Sequence, residues 1–291
     1  MTKPKKVIEI LRPKKQTTAL VFDSPHSGTI YPNDFAFTCD IDDLRTAEDM
    51  YVDELFDHVT ETSNAPLLKA LFPRSYIDPN RKESGKKSKG PRGLCRTVCN
   101  GINRIPIYDN DNMPTDEDKQ HRIETYYREY HENLQDIIQT THQKFDQVLH
   151  INCHSMPSKR GDGSDNEYDI ILGNREGLGH KSKRTCDPDL IDFLKSQLED
   201  MGYKVGVNII GYRGAEIVRR YGKPEKDIHS VQFEINRSLY MDEKTLQKTS
   251  NFKKMKDDIK SICKSLARYT PPKYKQSPPR HSNTLRKGFK P

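Results

Sequence analysis

Short apolar runs alternate with longer amphipathic segments along this chain. Six runs rich in apolar and β-branched residues have the length of buried strands, at residues 17–25, 66–72, 148–153, 168–172, 203–210 and 230–235. Apolar residues recur at helical spacing at residues 47–59, 116–145, 189–201, 215–221 and 244–269. Because the two kinds of segment alternate, the pattern predicts an α/β fold with a mixed, mainly parallel sheet flanked by helices.

Composition changes this picture mainly at the two ends of the chain. The 291 residues are 33% hydrophobic with a mean hydropathy of −0.92, and the net charge is +7. Residues 1–15 and 271–291 are strongly basic, so the part between them is net acidic. We therefore expect a basic N-terminal segment at 1–15, a single domain at 16–270, and a disordered, basic, proline-rich tail at 271–291. Residues 82–104, rich in Lys, Arg and Gly, are expected to form a loop.

The same features exclude several classes of protein. Since the excess of basic residues lies in the tails, nucleic acid is not the expected partner beyond weak contacts there. No run approaches the roughly 18 apolar residues of a membrane-spanning helix, and the N-terminus lacks the apolar core of a secretion signal. The six cysteines form no framework, and the close pair Cys95 and Cys99 lacks the spacing of a zinc or redox site. These features favour a soluble, cytoplasmic protein with reduced thiols.

Two histidines lie where predicted strands end. His26 follows the first strand in a turn bounded by proline and glycine, and His154 ends the strand that begins at residue 148. Ligands of open α/β sheets bind beyond the carboxyl ends of the strands, so both histidines are candidates for chemistry. With Asp49, which has Glu48 beside it, they form a common ligand set for catalytic zinc. The three residues are far apart in sequence, and buried structural histidines remain the alternative.

Further polar residues stand at other strand ends and turns. Glu234 lies among apolar neighbours in the last predicted strand, where a carboxylate is costly unless it is paired or catalytic. It is either a general base or the partner of Arg237. Arg81, beside Asn80, has a planar guanidinium suited to a substrate carboxylate, although a surface arginine after a turn is the alternative. Arg213, after a glycine-bounded turn, has the same two interpretations.

Eight segments together resemble the N-formylglutamate amidohydrolase family. They are SPHSG with YP downstream (24–32), ED followed by VDELF (48–56), YIDPNR (76–81), RIETYYREYHENL (122–134), CHSMPS (153–158), DIILGNREG (169–177), YRGAEIVRRYGKP (212–224) and VQFEINRSLYMDE (231–243). They occur in the family's order between about residues 17 and 265. An ordered set of this size is far more specific than any one motif.

The resemblance implies a fold, a cofactor and a set of site residues. The fold would be zinc carboxypeptidase-like, of the phosphorylase/hydrolase-like type, with one Zn²⁺ ion. His26, Asp49 and His154 would bind the metal, with Glu48 as the alternative acidic ligand because carboxypeptidase-like sites use a glutamate. Glu234 would be the catalytic carboxylate. Asn80 and Arg81 would bind a substrate carboxylate, and we add Arg213 as a candidate for substrate binding.

The implied reaction is hydrolysis of an N-acyl, most simply N-formyl, amino acid such as N-formylglutamate, giving formate and the free amino acid. Glu234 would take a proton from a water activated by zinc and pass it to the leaving amine. The chain departs from the family pattern in the lysine-rich segment after Arg81 and in Glu129 and Tyr130 before His131. Because these departures concern the edge of the pocket, they bear on the substrate more than on the metal.

Three alternatives remain open. A carboxypeptidase-like or peptidoglycan-directed zinc amidase would share the metal and differ in substrate. A non-catalytic binding protein of amidohydrolase descent would use its basic tails on anionic surfaces. Nucleophilic catalysis by Cys153 or Ser24 is the least favoured, since neither lies in a GxSxG-type turn. His150, four residues before His154, is expected to be structural.

Overall fold

The computed structural model of the chain describes residues 6–83, 94–100, 103–177 and 183–270. The strands in these ranges are β1 (Ile8–Leu11), β2 (Leu20–Ser24), β3 (Leu67–Ala70), β4 (Thr97–Asn100), β5 (Asn103–Pro106), β6 (Val148–Met156), β7 (Ile170–Gly173), β8 (Val205–Val207), β9 (Ile228–Asn236), β10 (Met241–Asp242) and β11 (Gln247–Lys248). Seven of these described strands form one sheet, in the order β1-β3-β2-β6-β9-β7-β8.

The sheet is mixed and mainly parallel. The four pairs β3-β2, β2-β6, β6-β9 and β7-β8 are parallel, whereas β1-β3 and β9-β7 are antiparallel. The α-helices of the described ranges are α1 (Ile41–Arg45), α2 (Val52–Leu55), α3 (Val59–Thr62), α4 (Asp116–Arg122), α5 (Arg128–Phe145), α6 (Pro188–Asp200), α7 (Glu216–Tyr221) and α8 (Phe252–Leu266). The predicted fold class, an α/β domain with a mainly parallel sheet flanked by helices, is confirmed.

Two hydrophobic cores lie on opposite faces of the sheet. Leu149, Ile151 and Cys153 of β6 pack into the core that contains residues of α2, α3, α6 and α8. The second core contains residues of α5 and α7. Side chains alternate between the faces of a strand, so His150, Asn152 and His154 of β6 face the side of α5 and α7. The residues of β6 on this face therefore include His154, which the sequence predicts to bind the metal.

Several elements differ from the sequence prediction because of long-range contacts or local backbone geometry. Ile8–Leu11, within the segment expected to be a basic extension, pairs antiparallel with β3 as an edge strand. The helix expected at 47–59 is broken, since Tyr51 adopts a left-handed conformation (φ 65°) and only short helices follow. The helix expected at 116–145 is present, with a π-helical turn at Ile123–Tyr127 joining α4 and α5.

Other differences concern turns that a periodic pattern does not show. Part of the loop expected at 82–104 is an antiparallel hairpin of β4 and β5, and residues 84–93 lie outside the described ranges. The helix expected from 244 starts only at Phe252, after the β10-β11 hairpin. The strand expected at 203–210 is limited to Val205–Val207. Residues 1–5 and the predicted tail at 271–291 also lie outside the described ranges.

The thiols and helices of the described ranges bear on two further predictions. Cys39, Cys95, Cys153, Cys186 and Cys263 are free thiols there, as expected for reduced cysteines. The side chain of Cys99 lies outside the described residues. Within the described ranges, every helix is too short or too polar to cross a membrane.

Candidate metal centre and substrate cavity

Polar side chains of two neighbouring strands lie side by side on one face of the sheet. His150, Asn152 and His154 of β6 lie directly opposite Ser230, Gln232 and Glu234 of the neighbouring parallel strand β9. Residues paired in this way lie side by side and share a face of the sheet. Since both strands run in the same direction, His154 and Glu234 are adjacent at their carboxyl ends, where ligands of α/β sheets bind.

The turn after β2 places His26 against the same site. A Cβ atom at Gly28 would collide with the backbone of Leu71 and Phe72, so only glycine allows this close approach. The backbone N–H of Asp49 donates a hydrogen bond to the His26 carbonyl oxygen at 3.0 Å. This bond fixes the segment before α2 to the turn after β2, which places Asp49 next to His26.

His26, Asp49 and His154 form a buried cluster. Asp49 Oδ2 lies 3.2 Å from His26 Nδ1 and 2.9 Å from His154 Nδ1. One donor atom from each residue lies within 4.8 Å of the others, and each residue is at most 2% exposed. Two imidazole nitrogens and one carboxylate oxygen at this separation suit a single divalent ion, with zinc as a common choice. The donor set therefore fits the metal that the sequence predicts.

The second nitrogen of each imidazole is held by an acceptor. His26 Nε2 donates to Asp78 Oδ1 at 2.7 Å, and His154 Nε2 donates to Asn152 Oδ1 at 2.8 Å. The orientation of Asn152 follows from Asp23, whose ionised carboxylate only accepts and takes the Asn152 Nδ2–H at 2.9 Å. Because the second nitrogen of each ring already donates to an acceptor, each ring can present Nδ1 to a metal once the proton that Nδ1 shares with Asp49 Oδ2 is released.

Asp23 is the charged residue at the centre of the hydrogen bonds that orient Asn152 and, through it, His154. It is fully buried and also accepts hydrogen bonds from His150 Nε2 at 2.8 Å and Tyr130 Oη at 2.6 Å. Burial would raise its pKa, but His150 and the hydrogen bonds outweigh burial and lower the pKa of Asp23. His150 also bonds Ser230 Oγ at 2.8 Å. His150 thus contacts Asp23 and Ser230 and not the cluster itself, as expected for a structural residue.

The second oxygen of Asp49 is held on the opposite side. Asp49 Oδ1 accepts from Arg237 Nη2 and from Ser155 Oγ, each at 3.2 Å. Arg237 also donates to the Thr46 carbonyl oxygen at 2.8 Å. Burial would raise the pKa of Asp49, but hydrogen bonds from His154 and His26 hold it well below its usual range. Asp49 thus directs only Oδ2 at the two histidines. Arg237 forms its ion pair with Asp49 and not with Glu234, the partner considered from the sequence.

Glu48, the alternative acidic ligand, occupies a different environment. Its Oε1 accepts a hydrogen bond from the Tyr31 hydroxyl. Burial raises the pKa of Glu48 to about 7. Within the described residues, the oxygen that approaches both histidines belongs to Asp49. The geometry therefore favours Asp49 over Glu48.

Glu234 is buried beside the cluster. It is 6% exposed, and its Oε1 accepts a hydrogen bond from Gln232 Nε2 at 2.7 Å. Burial and the nearby carboxylate of Asp49 raise the pKa of Glu234 well above its usual range. A carboxyl group with a raised pKa next to a metal site is suited to accept and return a proton.

The candidate substrate residues line one cavity. Asn80, Arg81, Arg213 and Gln232 all contribute to the walls of a cavity of about 840 Å³. Asn80 Nδ2 lies 3.0 Å from His154 Nε2, and its Oδ1 accepts the backbone N–H of Ile217 at 2.9 Å. The Arg81 side chain is 58% exposed. Arg213 Nε donates to the Asn208 carbonyl oxygen at 2.9 Å. The cavity thus contains two arginines and lies next to the cluster, since its wall residues Asn80 and Gln232 contact His154 and Glu234.

His131 supports the loop that carries Asp78 and Asn80. The Pro79 carbonyl oxygen can only accept, so His131 Nε2 is protonated and donates to it at 2.9 Å. Its Nδ1 lies 2.9 Å from Tyr221 Oη. Burial, followed by the positive charge of Arg220, lowers the pKa of His131 to about 3. The residue is therefore neutral in the folded protein.

This lowered pKa predicts a pH-dependent contribution to stability. Between about pH 6.5 and pH 3 the unfolded chain binds a proton at residue 131 that the folded chain does not, so stability falls as pH falls through this window. His131→Gln can keep the bond to Pro79 but cannot titrate. We expect the free energy of unfolding of the wild type, relative to that of the variant, to fall by about 2–3 kcal/mol from pH 7 to pH 4. Urea unfolding at the two pH values measures this. A difference that stays constant with pH would contradict the neutral state of His131.

The sequence and fold of this chain have counterparts among known proteins. Residues 18–241 match the family model of N-formylglutamate amidohydrolase. The chain belongs to this family. The family resemblance expected from the sequence motifs is thus confirmed.

Individual members of the N-formylglutamate amidohydrolase family show how far the similarity extends. An N-formylglutamate deformylase of Pseudomonas aeruginosa is 28% identical over 241 residues, which cover 81% of this chain and 86% of that protein. An N-formylglutamate deformylase of Pseudomonas putida is 28% identical over 231 residues, covering 77% and 82%. The crystal structure of N-formylglutamate amidohydrolase from Ralstonia eutropha JMP134 is 33% identical, with a TM-score of 0.77 and coverage of 90% and 98%.

The sequence prediction did not include the residues that support the cluster. These are Asp23, Asp78, Asn152, Ser155 and Arg237, of which Arg237 was considered only as the alternative partner of Glu234. The alternation of polar residues at 150, 152 and 154, and at 230, 232 and 234, could have revealed Asn152 among them. In a strand covered on both faces, such alternation indicates that one face carries a polar network.

Proposed function

We propose that this chain is a zinc-dependent amidohydrolase that removes the formyl group from N-formylated acidic amino acids, N-formylglutamate first among them. The observation that carries the proposal is the cluster of His26, Asp49 and His154 beside Glu234, next to a cavity whose walls include Arg81 and Arg213. The relatives named N-formylglutamate deformylase support the substrate.

The metal would be bound by His26 Nδ1, His154 Nδ1 and Asp49 Oδ2. When bound, zinc supplies a Lewis acid that polarises the amide carbonyl and lowers the pKa of a water. Asp78 and Asn152 keep the two imidazoles in the tautomer that can bind metal. Arg237 and Ser155 donate hydrogen bonds to Asp49 Oδ1, so that Asp49 would offer only Oδ2 to the metal.

Glu234 carries out the proton transfers in this proposal. It lies in register with His154, and its raised pKa favours holding a proton once it has received one. Its carboxylate accepts a proton from the attacking water and then delivers it to the amine nitrogen as the C–N bond breaks. Formate and the free amino acid are the products.

The cavity residues would orient the substrate. Arg81 and Arg213 present guanidinium groups that suit the two carboxylates of N-formylglutamate. Asn80, held by the backbone N–H of Ile217 and lying against His154, stands where the polar atoms next to the scissile bond would be. Such anchoring converts binding energy into correct placement of the reacting amide.

The proposal is tested by metal analysis and by formate release from N-formylglutamate. We expect one zinc per chain and a kcat/KM for N-formylglutamate that exceeds that for N-formylleucine by about two orders of magnitude, since the leucine side chain leaves one arginine without a partner. Release of C-terminal amino acids from unformylated peptides, without formate release, would instead favour a carboxypeptidase-like amidase.

The support of His154 by Asn152 gives a separate prediction. Asn152→Leu is close in shape to asparagine but removes the acceptor that fixes the His154 tautomer. We expect zinc affinity to fall about 10–100-fold, measured by competition with a chromophoric chelator. Asn133→Leu on α5, which removes a bond to Glu129 away from the site, is the matched control. Unchanged zinc affinity in Asn152→Leu would show that the tautomer is set in another way.

A further inference from the structure

A basic surface continues from the substrate cavity away from the metal cluster. The cavity of about 840 Å³ is walled in part by Arg81, Lys82, Arg175, Arg213 and Arg219. A second cavity of about 370 Å³ is walled in part by Arg175, Lys183, Arg184, Arg219 and Lys223. Because Arg175 and Arg219 contribute to both, the two cavities form one continuous surface, here called the cationic groove.

Positive charge in the cationic groove exceeds negative charge. Its described walls contain eight cationic side chains and two acidic ones, Glu216 and Glu225. Glu216 is already engaged by Arg219, with N–O distances of 2.5 and 2.8 Å. Burial, and then the charge of Arg219, lowers the pKa of Arg175. A net positive groove in a chain whose central part is acidic attracts anions to this one face.

The position of Arg175 at the junction of the two cavities is built into the backbone. Arg175 adopts a left-handed conformation (φ 65°), which is uncommon for a non-glycine residue and costs free energy. Its N–H donates to the Arg213 carbonyl oxygen at 2.8 Å, and its Nη1 donates to the Gly214 carbonyl oxygen at 2.7 Å. A Cβ on Gly173 would lie 2.6 Å from the Tyr212 carbonyl oxygen, so the loop approaches β7 closely. These contacts fix two arginines side by side.

We propose that the cationic groove binds an acidic peptide chain, so that the substrates include N-formylated acidic peptides as well as single N-formyl amino acids. The inference rests on the proposed function, since it places the formyl end at the metal cluster. A single N-formylglutamate has two carboxylates, which the first cavity can accommodate at Arg81 and Arg213. Lys183, Arg184 and Lys223 lie in the second cavity, where they would contact further acidic residues of a longer chain.

Nucleic acid is a less suitable occupant of the cationic groove. Proteins that bind single-stranded nucleic acid combine basic grooves with aromatic side chains on which bases stack. The described walls of the two cavities contain no aromatic residue. The metal cluster next to the groove is suited to an amide, which a peptide supplies.

Two matched substrates test the inference in the zinc-loaded protein. N-formyl-Glu-Glu-Glu and N-formyl-Glu-Gln-Gln have the same length and differ only in distal charge. We expect kcat/KM at low salt to be roughly tenfold higher for the acidic peptide, mainly through KM, and the preference to shrink as salt rises. The double variant Arg184→Gln/Lys223→Gln should reduce the preference to about twofold. Lys253→Gln/Lys264→Gln on α8, which removes the same charge elsewhere, should leave it unchanged. Equal kcat/KM for the two peptides in wild type would overturn the inference.

A binding experiment separates this inference from the proposed function. Hexaglutamate and a six-residue thymidine oligonucleotide are titrated into the Glu234→Gln protein by calorimetry. Hexaglutamate should bind more tightly than the oligonucleotide, and Arg184→Gln/Lys223→Gln should weaken its binding roughly tenfold. This result would support peptide binding in the cationic groove even if no formyl compound is hydrolysed. Binding of the oligonucleotide at least as tightly as hexaglutamate, or no binding of hexaglutamate, would overturn it.

Discussion

His154→Ala is expected to lose both the metal and turnover. The substitution removes one of the two imidazole Nδ1 atoms that lie within about 3 Å of Asp49 Oδ2. Two ligands would remain, fewer than the three protein ligands of catalytic zinc sites. We expect the purified protein to contain less than roughly a tenth of the wild-type zinc, and kcat to fall at least about a thousandfold. Metal analysis and formate release measure the two effects.

A histidine outside the site provides the control for this substitution. His142 lies on α5, is partly exposed, and bonds the Lys226 carbonyl oxygen through Nε2 at 3.0 Å. His142→Ala removes the same side chain and should keep full zinc content and activity. Circular dichroism establishes that both variants are folded. Retained zinc together with retained activity in His154→Ala would refute the assignment of His154 as a ligand.

Glu234→Gln is expected to separate catalysis from metal binding. The amide is close in size to the carboxylate and can still accept the hydrogen bond from Gln232, but it cannot accept the proton of the attacking water. We expect kcat to fall about 10²–10⁴-fold, the usual contribution of a general base, with zinc content unchanged. Steady-state kinetics on N-formylglutamate, with metal analysis of the same preparation, measures this.

The matching control replaces a glutamate that accepts a backbone N–H. Glu243 accepts the N–H of Ser158 at 2.9 Å, and Glu243→Gln should keep kcat within about twofold of wild type because the amide oxygen can accept the same bond. Loss of zinc in Glu234→Gln would place Glu234 among the ligands. Wild-type kcat in Glu234→Gln would show that another group transfers the proton.

The fold class could be predicted because it depends on local patterns. Buried strands such as β6 are short apolar runs, and helices such as α5 and α8 are amphipathic over many turns, so each is recognisable without its partners. The edge strand β1 was not predicted, because its pairing with β3 is a contact between residues about sixty apart. The break at Tyr51 was not predicted either, since its left-handed backbone has no glycine to indicate it.

The candidate ligands could be predicted because their chemistry is visible in residue type and position. His26 and His154 stand at the ends of apolar strands, and Asp49 lies in the first turn of the predicted helix, so each stands at the end of an element. The order of the motifs then pointed to the family, which the match over residues 18–241 confirms. The ligand roles themselves stay predictions, to which the structure adds the short distances among the three side chains.

By itself, then, the sequence determined the α/β alternation, the family, and the residue types available for metal binding and proton transfer. Only the tertiary structure decided how they are supported. Asp23 meets Asn152 because β2 and β6 pair in one particular register, and a shift of one residue would turn Asn152 to the opposite face. Asp23 orients Asn152, and Asn152 sets the tautomer of His154. Such a chain of contacts depends on strand register, which is fixed by the packing of the whole sheet and not by any local segment.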